Sequence, residues 1–517
     1  MEKHHLHLHI TNKLKRVLVY TFITSVLLVS LLGVTVASIS FKLDYDLQAS
    51  QEAAIVRFNK ILDDQNDFSL PKGSSHAPYK LDPATLINVI ARNQPAVVKI
   101  FAVSCADIKL SHNSVSITIT DACSGRTGSG SLISSDGYIA TSGHIVTISP
   151  KDLVLGALDS KKNQEVYLAF LSQSGLINRT EASLLGSKID SQSDDLVDWL
   201  NSTKQFLTNS IITLTDHNEQ YAVQLGKDPA EIYYSLNRLS IGMRDGVVVA
   251  ELINQDFDPE SANLGLATGL FTSSDVAILK VPGPQPYVEI GSLDNIKIGD
   301  QLTSIGYPGL LDSTATGVAE DVVPSVTQGN VLNILLDAPV NGRKIVATSI
   351  PISQGSSGGP AFDNSGQQVG ISTYAILDCE KNQECFGDGQ LRDVADLKVL
   401  LLKDNIKLSK SDTNQKWYQA LDEYQKGDYI KTVDILDRLT DEYPQNYLAA
   451  SLQQVANSQI GEGTDNTSII RSQNVILNLV LIVTSGAAFS MAVTSYFILH
   501  FNLLHSRALL AHHKANK

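Results

Sequence analysis

Cysteine is scarce in this chain: four residues in 517, with no CxxC pair among them. That rules out a disulfide-dense small scaffold, and with no histidine pair nearby it leaves a zinc reading unsupported. Basic charge is short as well. Forty Lys and Arg against 54 Asp and Glu leave a net charge of −14, with no basic block outside the short tails. That balance speaks against a nucleic-acid or anionic-lipid surface. Histidine is rare too: away from the termini only His76, His112, His144 and His217 occur. Apolar residues are plentiful, 43% of the chain against 18% charged, enough for real cores in two to four folding units.

Two stretches carry no charge. Residues 17–41 follow Lys13, Lys15 and Arg16, and residues 475–499 lie between Arg471 and Arg507. Each is long enough to cross a ~30 Å hydrocarbon layer as a helix. Small residues in TVAS (35–38) offer cleavage-like spacing, but the run is long for a secretory signal, so an uncleaved anchor is expected. The basic residues before the first run, with Arg507, Lys514 and Lys517 after the second, put both tails, 1–16 and 501–517, in the cytoplasm. The expectation is a cell-membrane protein with transmembrane helices at 17–41 and 475–500 and residues 42–470 outside. An oxidising compartment then favours disulfides. Cys105 and Cys123 are 18 apart and Cys379 and Cys385 bracket CEKNQEC, so local pairing is the simplest of three connectivities.

Residues 42–82 read as a helical stalk and a turn-rich linker, SLPKGSSHAPY, with Asp82-Pro83 as a helix start. From there to about 400, short β-branched runs (SVSITIT, GVVVAELI, DVAILKV, QVGISTY) alternate with Gly, Pro, Asn and Asp. That rhythm predicts a sandwich or a barrel. One section, about 183–240, departs from it: DSQSDDLVDWLNSTKQFLTNS and DPAEIYYSLNR have helical spacing and read as an insertion. Beyond about 411 amphipathic helices take over, turning at Gly427-Asp428 and restarting after Pro444.

The chemistry centres on SQGSSGGPAF, residues 353–362, where two serines stand among three glycines. A flexible turn would explain the composition, and so would a nucleophile loop whose glycines let backbone N–H groups converge. A serine hydroxyl needs a base, usually a histidine held by a carboxylate. His76, His112 and His217 sit in polar linker or turn contexts, whereas His144 lies just past a strand in GSGSLISSDGYIATSGHIVT among small residues. Asp275 stands directly before an apolar strand in TSSDVAILKV.

Together these segments resemble the trypsin-like serine proteases, and within them the HtrA/DegP-like branch. LINVIARNQPAVVKI is similar to that branch's opening, GSGSLISSDGYIATSGHIV to its histidine block and SSDVAILKV to its aspartate block. IGDQLTSIGYPG, PSVTQGNVL and QGSSGGPAFDNSGQQVGIST match the segments leading to and past the nucleophile. The order His144, Asp275, Ser357 is that of chymotrypsin-type enzymes. The resemblance implies a mainly β fold, two six-stranded antiparallel β-barrels of chymotrypsin type over 83–405, with the site between them. It implies Ser357 as nucleophile, His144 as base, Asp275 as its orienting carboxylate, and an oxyanion hole from the backbone N–H groups of Gly355 and Ser357. Polypeptides are the implied substrates, and neither a metal nor another cofactor is needed.

The chain also departs from the branch. Residues His144 and Asp275 are 131 positions apart, and no PDZ-like domain is visible after the protease region. In its place residues 411–460 resemble one degenerate tetratricopeptide (TPR) repeat, with Gly427, Tyr429, Leu436, Leu439 and Pro444 at suitable offsets but Thr432 in a usual alanine place. A single repeat needs another surface to cover its apolar face, so it is either a hairpin packed on the barrels or a protein-docking segment. The rival to an enzyme is a silent protease-fold adaptor, disfavoured by the intact triad and glycines. Oligomeric state is not legible. The sequons at Asn178, Asn201 and Asn466 matter only in a glycosylating pathway, and the HHLHLH run reads as an ordinary tail.

Overall fold

The computed structural model describes residues 83–466 except 159, 190–198, 200–202, 204, 229, 231, 236–237, 260–271, 309–322, 338–342 and 379–385, together with positions 498, 501 and 505. Both charge-free runs, the stalk, and Cys379 and Cys385 therefore lie outside the described residues. Among the described residues no helix is long and apolar enough to cross a membrane. The described chain divides into two compact units, one holding 83–421 and 435–453, the other 422–434 and 454–466.

In the larger unit, helix α1 (Pro83–Asn93) starts on a proline, whose missing N–H costs nothing at a helix's first turn. The first barrel opens with β1 (Val97–His112) and β2 (Val115–Leu132). They are joined by Asn113 and Ser114, both with positive φ (+46° and +67°), the geometry of a two-residue hairpin turn. β3 (Tyr138–Thr141) leads into the short helix α2 (Gly143–Val146) and three more helices: α3 (Pro150–Ala157), α4 (Lys161–Gln173) and α5 (Arg179–Ile189). The chain returns through β4 (Ile211–Gln224), a small hairpin of β5 (Ile232–Ser235) and β6 (Arg238–Ile241), then β7 (Val247–Asp256) and β8 (Val276–Lys280). The barrel closes in the order β1-β2-β3-β8-β7-β4.

The inserted section differs from the expected helical span of about 183–240. Helices already begin at Pro150, while 211–224, 232–235 and 238–241 are strands. The first inserted helix forms because Ser149 and Asp152 make a reciprocal capping box ahead of a first-turn proline. DPAEIYYSLNR is not a helix because Ile232 and Tyr233 pair with Ile241 and Ser240, and Ile232 packs over a buried cluster around Cys105 and Cys123. Tertiary burial overrides local helical spacing there.

Only part of each long strand closes the barrel. β4 pairs with β1 from 211 to 224 but with β7 only over 221–224, and β2 meets β3 only at 131–132. The outer halves of β1, β2 and β4 therefore form a three-stranded sheet beyond the barrel. Ile108, Leu110 and Ile119 of that sheet share a buried cluster with Leu153, Tyr167, Phe170, Leu171 and Trp199 from the inserted helical section. Burial of side chains of this size stabilises by about 1.5–3 kcal/mol each. Elsewhere on the sheet a disulfide joins Cys105 and Cys123, opposed positions of β1 and β2, beside Leu239 and Ile241 of β6. Asp121 and Asp216, with φ +53° and +52°, accompany register shifts on either side of β1, and Arg238 donates to both carboxylates.

The second barrel holds β9 (Gln301–Gly306), β10 (Ser325–Asp337), β11 (Arg343–Ile352), β12 (Pro360–Phe362), β13 (Gln368–Asp378) and β14 (Phe386–Asp393), closed in the order β10-β11-β14-β13-β12-β9. Helix α6 (Val394–Lys403) follows, its N-terminus capped by the Asp393 side chain on Ala395 N–H. Ile305, Phe362 and Ile371 of this barrel and Leu397 of α6 join Ile100, Leu132, Ile139 and Ile278 of the first in one core. Two mainly β, closed six-stranded antiparallel barrels thus share their interior packing, the arrangement of a chymotrypsin fold.

Helices α7 (Asp412–Gln425), α8 (Tyr429–Glu442) and α9 (Tyr447–Gly461) complete the described chain. Within the larger unit Trp417 Nε1 donates to the Ala91 carbonyl at 2.7 Å, fastening α7 to α1. Within the smaller unit Gly427 has φ +78°, and Asn466 donates its side-chain amide to Lys426 O at 2.7 Å and its backbone N–H to Gly427 O at 2.9 Å. Asn466 is fully buried, which closes that sequon to modification in the folded protein.

Candidate active site

His144 sits in α2, directly after β3. Gly143 before it has to be glycine, since a Cβ there would lie 2.4 Å from Cβ of Phe257. The Phe257 ring meets the imidazole edge-on, with centroids 6.1 Å apart. Asp275 stands immediately before β8 with φ +56°, a left-handed conformation that aspartate tolerates better than most residues, and its N–H donates to Asp256 O at 2.8 Å. The Asp256 carboxylate in turn accepts the N–H and hydroxyl of Ser274 at 2.9 and 2.6 Å.

The Asp275 carboxylate is completely buried. One oxygen accepts the His144 backbone N–H at 2.8 Å; the other accepts His144 Nδ1 at 2.8 Å and the Thr373 hydroxyl. Burial alone would raise its pKa. The His144 charge, the two His144 hydrogen bonds and the Thr373 hydroxyl outweigh it and hold the carboxyl below the ordinary aspartate value. An ionised aspartate on Nδ1 fixes the imidazole tautomer that leaves Nε2 as the base.

Ser357 lies in the loop between β11 and β12. Ser356 N–H donates to Ser353 O at 3.1 Å and Gly355 has φ +94°, which defines a type II turn with glycine at its third position. Type I and type II turns differ by a flip of the central peptide, the one that carries the Gly355 N–H. Positive φ at Gly355 selects one orientation of that donor, and only glycine adopts it without strain. The loop is tied to the first barrel by Ser129 of β2. Its N–H donates to Ser357 O and its hydroxyl to Gly355 O, both at 2.8 Å, while Tyr307 N–H donates to the same hydroxyl at 2.7 Å. A Cβ at Gly358, φ +85°, would come within 2.2 Å of Ser129 O and of the Thr141 hydroxyl.

The Ser357 hydroxyl donates to Thr373 O at 3.3 Å. Thr373 therefore bridges the two halves of the site, its hydroxyl on Asp275 and its carbonyl on Ser357. Hydrogen bonds between nucleophile and base often tighten only when substrate is bound. The structure thus brings His144 and Asp275 into direct contact and joins Ser357 to them through Thr373, with Gly355 in the same loop as Ser357. Cys105 and Cys123 lie apart from it under the β5–β6 hairpin. His112 contacts Asn209 O at 2.7 Å and His217 contacts the Ser104 hydroxyl at 2.9 Å, neither at this site. Sequence reading passed over Ser129 and Thr373 as site residues, although both lie inside segments that carry the resemblance. A small hydroxyl residue in a strand has no pattern that sets it apart.

Residues 202–371 match the family model described as a trypsin-like peptidase domain. The match includes Asp275 and Ser357, and His144 precedes it. The chain therefore carries a trypsin-like peptidase domain, of the kind found in HtrA- and DegP-like serine proteases. Among its particular relatives, the putative serine protease HhoB of Synechocystis is 31% identical over 118 residues, 22% of this chain and 27% of that protein. A probable periplasmic serine endoprotease, DegP-like, of Pseudomonas fluorescens is 36% identical over 102 residues, 19% of each chain. The matched stretches thus span about a quarter or less of these relatives' length. The solved HtrA-type protease AlgW with tripeptide aligns over 62% of this chain and 63% of its own at 18% identity, with a TM-score of 0.30.

Proposed function

We propose that this protein is a serine endopeptidase that cleaves peptide bonds through an acyl-enzyme. One observation carries the reading: a buried, ionised Asp275 holds His144 by two hydrogen bonds, and Thr373 links that pair to Ser357. Substrate displaces the Ser357 hydroxyl from Thr373 O towards the imidazole. Ser357 Oγ then attacks the scissile carbonyl, and His144 takes its proton and passes it to the leaving amine. Water, activated by the same imidazole, releases the acyl group. The Gly355 and Ser357 N–H groups receive the oxyanion, the role that the type II turn supports.

In this reading the two charge-free runs, 17–41 and 475–499, anchor the enzyme in the cell membrane with both tails cytoplasmic. The substrates are extracytoplasmic polypeptides, in keeping with the periplasmic, DegP-like relatives, and protein quality control is the proposed setting. Residues 411–460 are the place for a protein partner.

A fluorescent phosphonate that reacts with activated serines tests the enzymatic claim on the full chain. Wild type should label, while Ser357→Ala and His144→Ala should lose the signal, in line with a loss on the order of 10⁶ for either residue in such triads. A folded wild type that does not label would sink the reading and favour a silent adaptor.

A further inference from the structure

The inserted helices begin six residues after His144, and a single side chain joins the two. Arg126, on β2, donates from Nη1 to the carbonyls of His144 and, at 3.1 Å, Thr147, the residue that closes α2. Its Nη2 lies 2.8 Å from Asp152 Oδ2. Carbonyls at the end of a helical turn have no partner within it, so a guanidinium placed there fixes where the turn stops and how it is oriented. Asp152 is equally constrained. The same carboxylate oxygen accepts Ser149 N–H and its hydroxyl, at 2.8 and 2.6 Å, in the capping box that starts α3.

Helix α3 is itself seated without slack. Leu153 and Val154 are fully buried in the cluster that holds the helices on the extended sheet. At Gly156 the helix comes so near β2 that a Cβ would lie 2.4 Å from Cys123 O. Each link in the sequence helical section, Asp152, Arg126, His144 carbonyl is therefore a short polar contact between elements packed on one strand. From this geometry we infer that Arg126 is a positioning residue for His144 and that the inserted helical section acts on the site through the Arg126–Asp152 pair. The inference rests on the peptidase reading for its consequence in rate, but not for the placement of the imidazole.

The physical basis separates rate from stability. Arg126 and Asp152 are both more than a quarter exposed, 27% and 29%, and a pair that meets water adds little to folding. A small displacement of a general base, in contrast, costs roughly tenfold to a hundredfold in rate. Lysine in place of arginine keeps the charge that faces Asp152 but, as a point charge, cannot serve two carbonyls and a carboxylate together.

The test uses the full chain with Arg126→Ala, Arg126→Lys and Asp152→Asn beside wild type and Ser357→Ala. Phosphonate labelling rate, peptide-turnover kcat and KM, and Tm are measured for each, along with the downfield proton NMR signal of the His144–Asp275 hydrogen bond. Arg126→Ala should label and turn over roughly tenfold to a hundredfold more slowly with KM little changed, and should shift or lose the downfield signal. Asp152→Asn should fall between it and wild type, Tm should change little in all three variants, and Arg126→Lys should not restore the rate. Wild-type rate and an unmoved signal in Arg126→Ala would overturn the inference, as would full recovery of the rate by lysine. If wild type itself does not label, the peptidase reading has failed, and the NMR signal alone still decides whether Arg126 positions His144.

Discussion

The two barrels share a topology and differ in how they are held. The first supplies side chains, His144 and Asp275, and is braced from outside: its strands of 16, 18 and 14 residues run on into a sheet covered by helices. The second carries Ser357 and Thr373 together with the glycine turn that orients the Gly355 N–H, and its strands range from three residues in β12 to 13 in β10. A general base must keep both direction and tautomer, so it needs support from several sides. A backbone donor needs only the right torsion, and one glycine turn provides it. The helical bracing thus lies on the barrel that carries the imidazole and its carboxylate.

The comparison can be broken at three points. The largest expected effect is Gly355→Ala. Alanine at φ +94° favours the flipped peptide and withdraws one oxyanion donor, so kcat should fall roughly 10²–10³-fold with the fold intact. Steady-state kinetics beside circular dichroism checks this, and a near-normal kcat would mean that the turn does not set the hole. Next is the bracing of the first barrel. Replacing Cys105 and Cys123 by serine opens a loop of sequence separation 18, for which the chain-entropy relation gives about 3 kcal/mol of lost stability, read as a lower urea midpoint.

The smallest effect sharpens the contrast by pH. Burial pushes the Asp396 carboxyl in α6 up to about 6, against the pull of Arg392 and Arg343, whereas Asp275 is held below its ordinary value. A raised folded value favours the protonated native state. That contribution is complete below the ordinary aspartate range and disappears as pH rises through about 6; the Asp275 contribution is present above that range and lost as pH falls. Unfolding free energy should therefore drop by roughly 1–1.5 kcal/mol between about pH 5 and 7.5, and Asp396→Asn should flatten the slope. A wild type with no slope in that window would remove the contrast.

Much of this was legible in the chain. Gly355, Ser357, His144 and Asp275 sit in short motifs that a family resemblance ties together, and the β-branched rhythm pointed to a sandwich or a barrel, between which the resemblance chose. The inserted section was misread because its signals conflict: IYYS carries strand propensity inside a stretch with helical spacing, and only burial beside the disulfide decides. Helices α3 and α4 escaped notice because PKDLVLGA and KKNQEVYLAFLSQ stand next to strand-like segments; a capping box marks the short α3, but α4 has no side-chain cap to announce it. Arg126 and Thr373 were invisible for a different reason. Each works through contacts with residues brought together by chain folding, Thr373 with one 98 positions away, and such partners leave no local pattern.

The sulfur bridge under the small hairpin has a consequence for the protein's history. Cys105 and Cys123 are each only 4% exposed, and the N–H of Leu239 lies 3.4 Å from one sulfur. An incoming thiolate must reach a sulfur along an open line, so exchange has to wait until the hairpin lifts. The bond is thus set while the chain matures and is not renegotiated afterwards. A population in which 105 and 123 are joined has folded where oxidants were at hand, and one with free thiols has not. The oxidation state of this one pair is a lasting record of the redox conditions in which each molecule folded.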